Sequence, residues 1–86
     1  MLIKKNAKGQ GTLIVTPDDR VGRADARLIS IISKTSRVLG GKLDSLYHYE
    51  DTYNKQDRTL ATFDWESKDK VAAVVRGINF VVEVQE

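Results

Sequence analysis

Apolar and polar positions along this chain follow two periods, one typical of strands and one typical of helices. Alternation with a period of two predicts a strand, and apolar residues repeated every three or four positions predict a helix. In chain order the pattern predicts a strand at 11–16, a helix at 21–39, strands at 42–50 and 58–66, a helix from 67 to Gly77, and a strand at 79–84. The order is therefore β-α-β-β-α-β.

Turn residues support these boundaries. Pro17 fixes its own φ and ends the first strand, so that Asp18 or Asp19 can cap the helix that follows. The glycine pair 40–41 allows the left-handed backbone that commonly ends a helix. We expect one domain over 11–86, with residues 1–10 flexible or pairing along an edge. A turn at 6–10 that folded this segment onto the first strand would change the strand order.

The element order predicts an α+β, ferredoxin-like fold, in which a four-stranded antiparallel sheet carries two helices on one face. Strands 12–16 and 58–66 would be the central pair. The core would then contain Leu13, Val15, Leu28, Ile31, Ile32, Phe63, Trp65, Val71, Val74, Phe80 and Val82. The opposite face would expose an apolar patch, and such patches often mark interfaces. We predict that this patch consists of Ile14, Leu46, Leu60 and Val81.

The amino-acid composition excludes several classes of functional site. The chain has 86 residues, no cysteine and one histidine, so disulfides, thiolate chemistry and a multi-histidine zinc site are excluded. We expect no metal, no cofactor and no catalytic residue. His48 could share a strand face with Asp44 and Glu50, a trio able to move protons, but it equally fits an exposed strand edge. The chain has no apolar stretch of about 20 residues, and we expect a cytoplasmic protein without membrane contact.

The distribution of positive charge suggests a second binding surface, on the first helix. The net charge is +2, which permits an anionic partner without requiring one. Four cations recur at helical spacing on the side of the first helix opposite its apolar face, namely Arg23, Arg27, Lys34 and Arg37. They could bind phosphate, with Lys4, Lys5 and Lys8 as a mobile arm, although a charged stripe is commonly only a solvated surface.

The segment Asp19-Arg20-Val21-Gly22, between the first strand and the first helix, and the ending Gly77-Ile-Asn-Phe-Val-Val82 resemble an ACT domain. The resemblance spans about residues 11–86. It implies a regulatory module that pairs with copies of itself and binds an amino-acid-like ligand at Asp19, Arg20, Val21 and Gly22. The same four residues also fit a capped turn that binds nothing.

Residues 58–65 also resemble the third strand of RNA-recognition motifs, in which exposed aromatic side chains stack on bases. The outward positions here would be Leu60 and Thr62, which have no aromatic ring, so the sheet face is not expected to bind RNA. We therefore expect a noncatalytic binding module that forms a homodimer or docks on a protein partner through its sheet. The alternatives are nucleic-acid or polyanion binding through the first helix, or inhibition of a larger enzyme.

Overall fold

A computed structural model describes residues 1–20, 24–40, 44–45 and 56–86 and has an α+β fold. The chain forms strands and helices in the order β1 Leu2–Lys5, β2 Gly11–Val15, α1 Ala24–Val38, β3 Asp44–Ser45, β4 Arg58–Phe63, α2 Lys68–Gly77 and β5 Glu83–Gln85. Short 3-10 helices cover Pro17–Arg20 and Trp65–Ser67. No helix in these described ranges is long and apolar enough to cross a membrane.

The described strands form one sheet in the order β3-β4-β2-β1-β5. β2 and β4 are antiparallel neighbours inside the sheet, as predicted for the central pair. The sheet differs from the predicted four antiparallel strands in two respects. β1 is an additional strand, and it lies between β2 and β5, antiparallel to β2 and parallel to β5. The expectation that residues 1–10 are flexible or lie along an edge is therefore wrong for β1.

The turn between β1 and β2 explains this insertion. The Asn6 N–H donates to the Gln10 carbonyl over 2.8 Å, and the Asn6 side-chain oxygen accepts from the N–H groups of Lys8 and Gln10. Gly9 supplies a φ of 81°, which a side chain would strain. This closed turn directs β1 back along β2, so Lys4, Lys5 and Lys8 belong to a hairpin and do not form a mobile arm.

The core lies between the sheet and the two helices. Of the predicted members, Leu13, Val15, Leu28, Ile31, Phe63, Val71 and Val82 are buried, and Ile32, Trp65 and Phe80 pack against them while partly exposed. Further buried apolar residues are Met1, Ile3, Leu60, Ala61, Ala72 and Val75. Ile3 enters the core because β1 pairs inside the sheet, directly opposite Leu13.

A β-bulge in β4 changes which side chains face the helices. Leu13 pairs with Ala61, but the next residue of β2, Ile14, pairs with Thr59, so Leu60 is the additional residue. A bulge turns a side chain away from the face that simple alternation assigns to it. Leu60 and Ala61 are consequently both buried, and the prediction that Leu60 lies on the exposed face is wrong.

Candidate functional site

The predicted apolar patch does not form on the sheet. Leu60 is fully buried in the core, and Val81 is 86% exposed but precedes β5 and lies outside the sheet. Leu46 lies outside the described residues. Ile14 is half-buried, and its apolar neighbour on the face away from the helices is Leu2, directly opposite it in β1. The apolar part of this face, among the residues described, is therefore one pair of aliphatic side chains next to Thr12, Thr59 and Thr62.

Asp19 is placed by the turn that follows β2, but its carboxylate already has partners within the chain. One oxygen accepts from the Thr16 N–H over 2.8 Å and from the Thr16 hydroxyl over 2.9 Å. The same carboxylate lies 3.2 Å from the Met1 ammonium, which also donates to the Val81 carbonyl over 2.8 Å. This arrangement stabilises the junction between β1, β2 and β5. An amino-acid ligand would have to displace these contacts.

The predicted ligand site also includes Arg20, Val21 and Gly22. The side chain of Arg20 and the whole of Val21 and Gly22 lie outside the described part of the chain, as does Arg23 of the predicted basic stripe. The ligand-binding prediction for 19–22 therefore stays a prediction.

Arg27 is held against the end of α2. Its guanidinium donates to the carbonyls of Ile78 and Asn79, both over 3.3 Å, and its central carbon lies 4.2 Å from the centre of the Phe80 ring. Both carbonyls follow directly after Gly77, the last residue of α2, and the C-terminal end of a helix carries partial negative charge that a nearby cation stabilises. Arg27 thus joins α1 to the end of α2, and its guanidinium is partly occupied by contacts within the chain.

Lys34 and Arg37 are exposed on the same side of α1 and make no ion pair with any described residue. They border a depression between α1 and the last turn of α2, which we term the interhelical groove. It consists of two adjoining hollows of about 460 and 310 Å³ that share Lys34, Gly77 and Ile78. Its lining residues are Arg27, Ser30, Lys34, Arg37, Val38, Val74, Gly77, Ile78 and Asn79.

The interhelical groove combines positive charge with apolar surface. Three of its lining residues are cations and none is acidic, within the described part of the chain. Val74 and Ile78 are half-buried and Val38 is 49% exposed, so apolar side chains remain accessible between the cations. Helical spacing predicts the cations. The same spacing places Val74 in the core and Val38 among the apolar positions of the first helix, whereas both side chains border the groove. The groove is open beside Gly77, where a Cβ atom would meet no described residue within 4 Å outside the adjoining backbone. No sequence pattern signals this opening.

Two lysines lie close to the aromatic ring of Trp65. The ammonium groups of Lys5 and Lys68 lie 5.8 and 5.2 Å from the centre of the Trp65 ring, within the range of cation–π attraction. Trp65 is partly buried and packs against the core. The lysine contacts stabilise the β1–β2 hairpin against the start of α2. Lys5 and Trp65 also line a hollow that the acidic residues Asp64 and Glu66 border.

The residues considered for proton transfer are not brought together within the described structure. His48 and Glu50, and the side chain of Asp44, lie outside it. Among the residues searched, which are those with a described position, no group of three or more acidic or histidine side chains could hold a metal ion.

Comparison with known proteins identifies no relative. No protein-family model, no curated protein and no solved structure matches this chain. The resemblance to ACT domains therefore stays a prediction.

Proposed function

We propose that this chain is a noncatalytic binding module that docks on a protein partner through the interhelical groove. The observation that carries the proposal is the juxtaposition of two exposed cations of α1, which form no ion pair with a described residue, with accessible apolar side chains of both helices. Apolar area supplies most of the free energy of protein association, and charge supplies orientation and specificity. A surface with both properties suits a protein partner better than a small ligand.

This proposal moves the docking surface from the sheet to the helices. A stable interface buries about 800 Å² on each partner, with an apolar centre. The face of the sheet away from the helices offers only the adjacent pair Leu2 and Ile14 as an apolar centre, among the residues described. We therefore favour a different protein as the partner over a second copy that associates through the sheet.

We interpret the fold as ferredoxin-like with one added strand. Without β1, the strand order would be β3-β4-β2-β5, which is the order of the predicted β-α-β-β-α-β unit. β5 is parallel to β1 and β1 is antiparallel to β2, so β5 also runs antiparallel to β2. The added strand separates β5 from β2 and leaves these two strands antiparallel.

Polyanion binding is the second candidate, and the exposed pair Lys34 and Arg37 favours it. Arg27 contributes less because it is held by the end of α2. Two phosphate contacts would give a salt dependence with a slope of only about −2 on logarithmic axes. Such weak contact does not use the apolar part of the groove, which is why we place this candidate second.

Site-specific photo-crosslinking tests the proposed function. A photoreactive amino acid is placed at Ser30, in the groove, or at Thr62, on the opposite face, in cells that naturally express the chain. We expect a protein adduct from position 30 that disappears in the variant Lys34→Glu/Arg37→Glu. The control variant Lys4→Glu/Lys8→Glu makes the same change of charge elsewhere and should keep the adduct. Adducts from position 62 alone, or from neither position, would refute docking through the groove.

A further inference from the structure

We infer that the partner segment bound in the interhelical groove is an acidic amphipathic helix of about three turns. This inference rests on the proposed function and specifies the chemistry of the partner. It follows from the length of the groove, the spacing of its cations, its apolar floor and the missing side chain at Gly77.

The length of the groove matches a short helix. Its lining residues on α1 extend from Arg27 to Val38, which corresponds to about 16 Å along the axis at about 1.5 Å per residue. A partner helix of about eleven residues, or three turns, covers this distance. Amphipathic helices bind such grooves by placing one apolar stripe against the floor.

The cations specify acidic residues on that helix. Lys34 and Arg37 are three positions apart on α1, so their side chains lie about one helical turn apart on the same side. Carboxylates separated by three or four residues on the partner could pair with both cations. No acidic side chain of the described residues lines the groove, so the partner would meet no like charge there.

Gly77 leaves room for a partner side chain. It is the last residue of α2, and a Cβ atom built on it would meet no described residue within 4 Å outside its chain neighbours and the adjoining helix backbone. Val74 lies one turn earlier on α2, and Ile78 follows Gly77 directly, so the open space is bordered by apolar surface. An apolar side chain of the partner helix can occupy this space. A side chain introduced at position 77 would fill the space instead, without disturbing the packing of the fold.

These features distinguish an acidic helix from a nucleic acid. A phosphate backbone has no apolar stripe to place against Val38, Val74 and Ile78. It would contact only the solvent-exposed cations of the groove. An acidic amphipathic helix uses the cations and the apolar floor together. A variant such as Gly77→Gln, which changes the shape of the groove and leaves its charge unaltered, should therefore weaken binding of an acidic helix but not binding of a nucleic acid.

The test is a display selection on the immobilised full chain, with a library of about 15-residue peptides in which every position samples all residue types. We expect the enriched peptides to carry acidic residues three or four positions apart together with an apolar stripe. Their affinity should fall about tenfold for Lys34→Glu/Arg37→Glu, since two attractions become two repulsions. It should fall similarly for Gly77→Gln, and it should not change for the control Lys4→Glu/Lys8→Glu.

The possible outcomes separate this inference from the proposed function. Enriched peptides that lose affinity with Gly77→Gln but lack acidic residues would overturn the acidic-helix inference and leave docking through the groove intact. Enrichment that is insensitive to Gly77→Gln and to the charge reversal, or no enrichment, would overturn both. A single-stranded oligonucleotide of matched negative charge, measured in parallel, should bind more weakly than the peptides. If it binds more tightly and Gly77→Gln leaves its affinity unchanged, the polyanion function is favoured instead.

Discussion

Substitution of Gly11 by alanine tests how closely β2 and β4 pack. Gly11 is the first residue of β2 and lies directly opposite Phe63 of β4. A Cβ atom at position 11 would lie 2.4, 2.7 and 2.9 Å from the ring atoms Cε2, Cζ and Cδ2 of Phe63. Ordinary contacts between carbon atoms need about 3.5 to 4.0 Å, so the ring would have to move by about 1 Å.

The core resists this movement. Phe63 is only 3% exposed and belongs to the main apolar cluster. Forcing extra volume into a packed core costs about 1 to 3 kcal/mol, and a clash with three ring atoms places this variant near the upper limit. The lower entropy of the unfolded alanine chain offsets about 0.4 to 1 kcal/mol. We expect Gly11→Ala to lower the free energy of unfolding by about 2 kcal/mol.

Thermal and urea unfolding, followed by circular dichroism, measure this change. For a domain of this size, about 2 kcal/mol corresponds to a fall in Tm of roughly 8 to 16 °C. The matched control is Gly77→Ala, which adds the same methyl group in open space at the end of α2 and should leave stability unchanged or raise it by up to about 1 kcal/mol.

A double-mutant cycle identifies the cause. In a Phe63→Leu background the smaller side chain leaves room for the methyl group at position 11, so Gly11→Ala should cost at least about 1 kcal/mol less than it does in the natural sequence. An equal cost in both backgrounds would show that the ring is not responsible. A Gly11→Ala variant as stable as the natural protein would refute the packing argument itself.

The remaining predictions concern single side chains and are measured by urea unfolding. Thr35→Val should leave stability unchanged or raise it by up to about 1 kcal/mol, because the Thr35 hydroxyl is buried and has no hydrogen-bond partner among the described residues. Clear destabilisation would contradict this reasoning. Arg27→Ala should lower the free energy of unfolding by about 1 kcal/mol, because it removes the contacts of Arg27 with the end of α2. The control Arg37→Ala should change it by less than about 0.5 kcal/mol. Equal effects of the two substitutions would contradict these contacts. Leu60→Asp should unfold the chain, because it places a carboxylate in the core; a folded variant with native circular dichroism would contradict the bulge.

Sequence patterns predicted the type and order of the described elements from 11 onward, but not all of their bounds. The last strand is predicted at 79–84, whereas β5 covers Glu83–Gln85. α2 and its end at Gly77 agree with the expectation, and α1 lies within the predicted helix. β4 is shorter than predicted, since a 3-10 helix begins at Trp65, where the alternation of apolar residues continues. Periodicity reports which residues can face a core, but it does not report where backbone pairing stops.

The candidate site was predicted only in part. Helical spacing is enough to place Lys34 and Arg37 together on one side of α1, because both belong to the same short stretch of chain. The contacts of Arg27 do not follow from spacing, because its partners Ile78, Asn79 and Phe80 are about fifty residues away in sequence. Asp19 was identified as a turn residue, but its pairing with the Met1 ammonium depends on the position of β1 in the sheet.

The amino-acid sequence by itself determined the α+β class, the order of the elements from 11 onward and the charge on α1, because these depend on residues close together in the chain. Tertiary structure alone decided that β1 lies inside the sheet, that a bulge turns Leu60 inward, and that the two helices leave a groove beside Gly77. Each of these depends on contacts between segments that are distant in the chain. Within the sheet, a shift of one residue in strand pairing reverses the face on which a side chain lies.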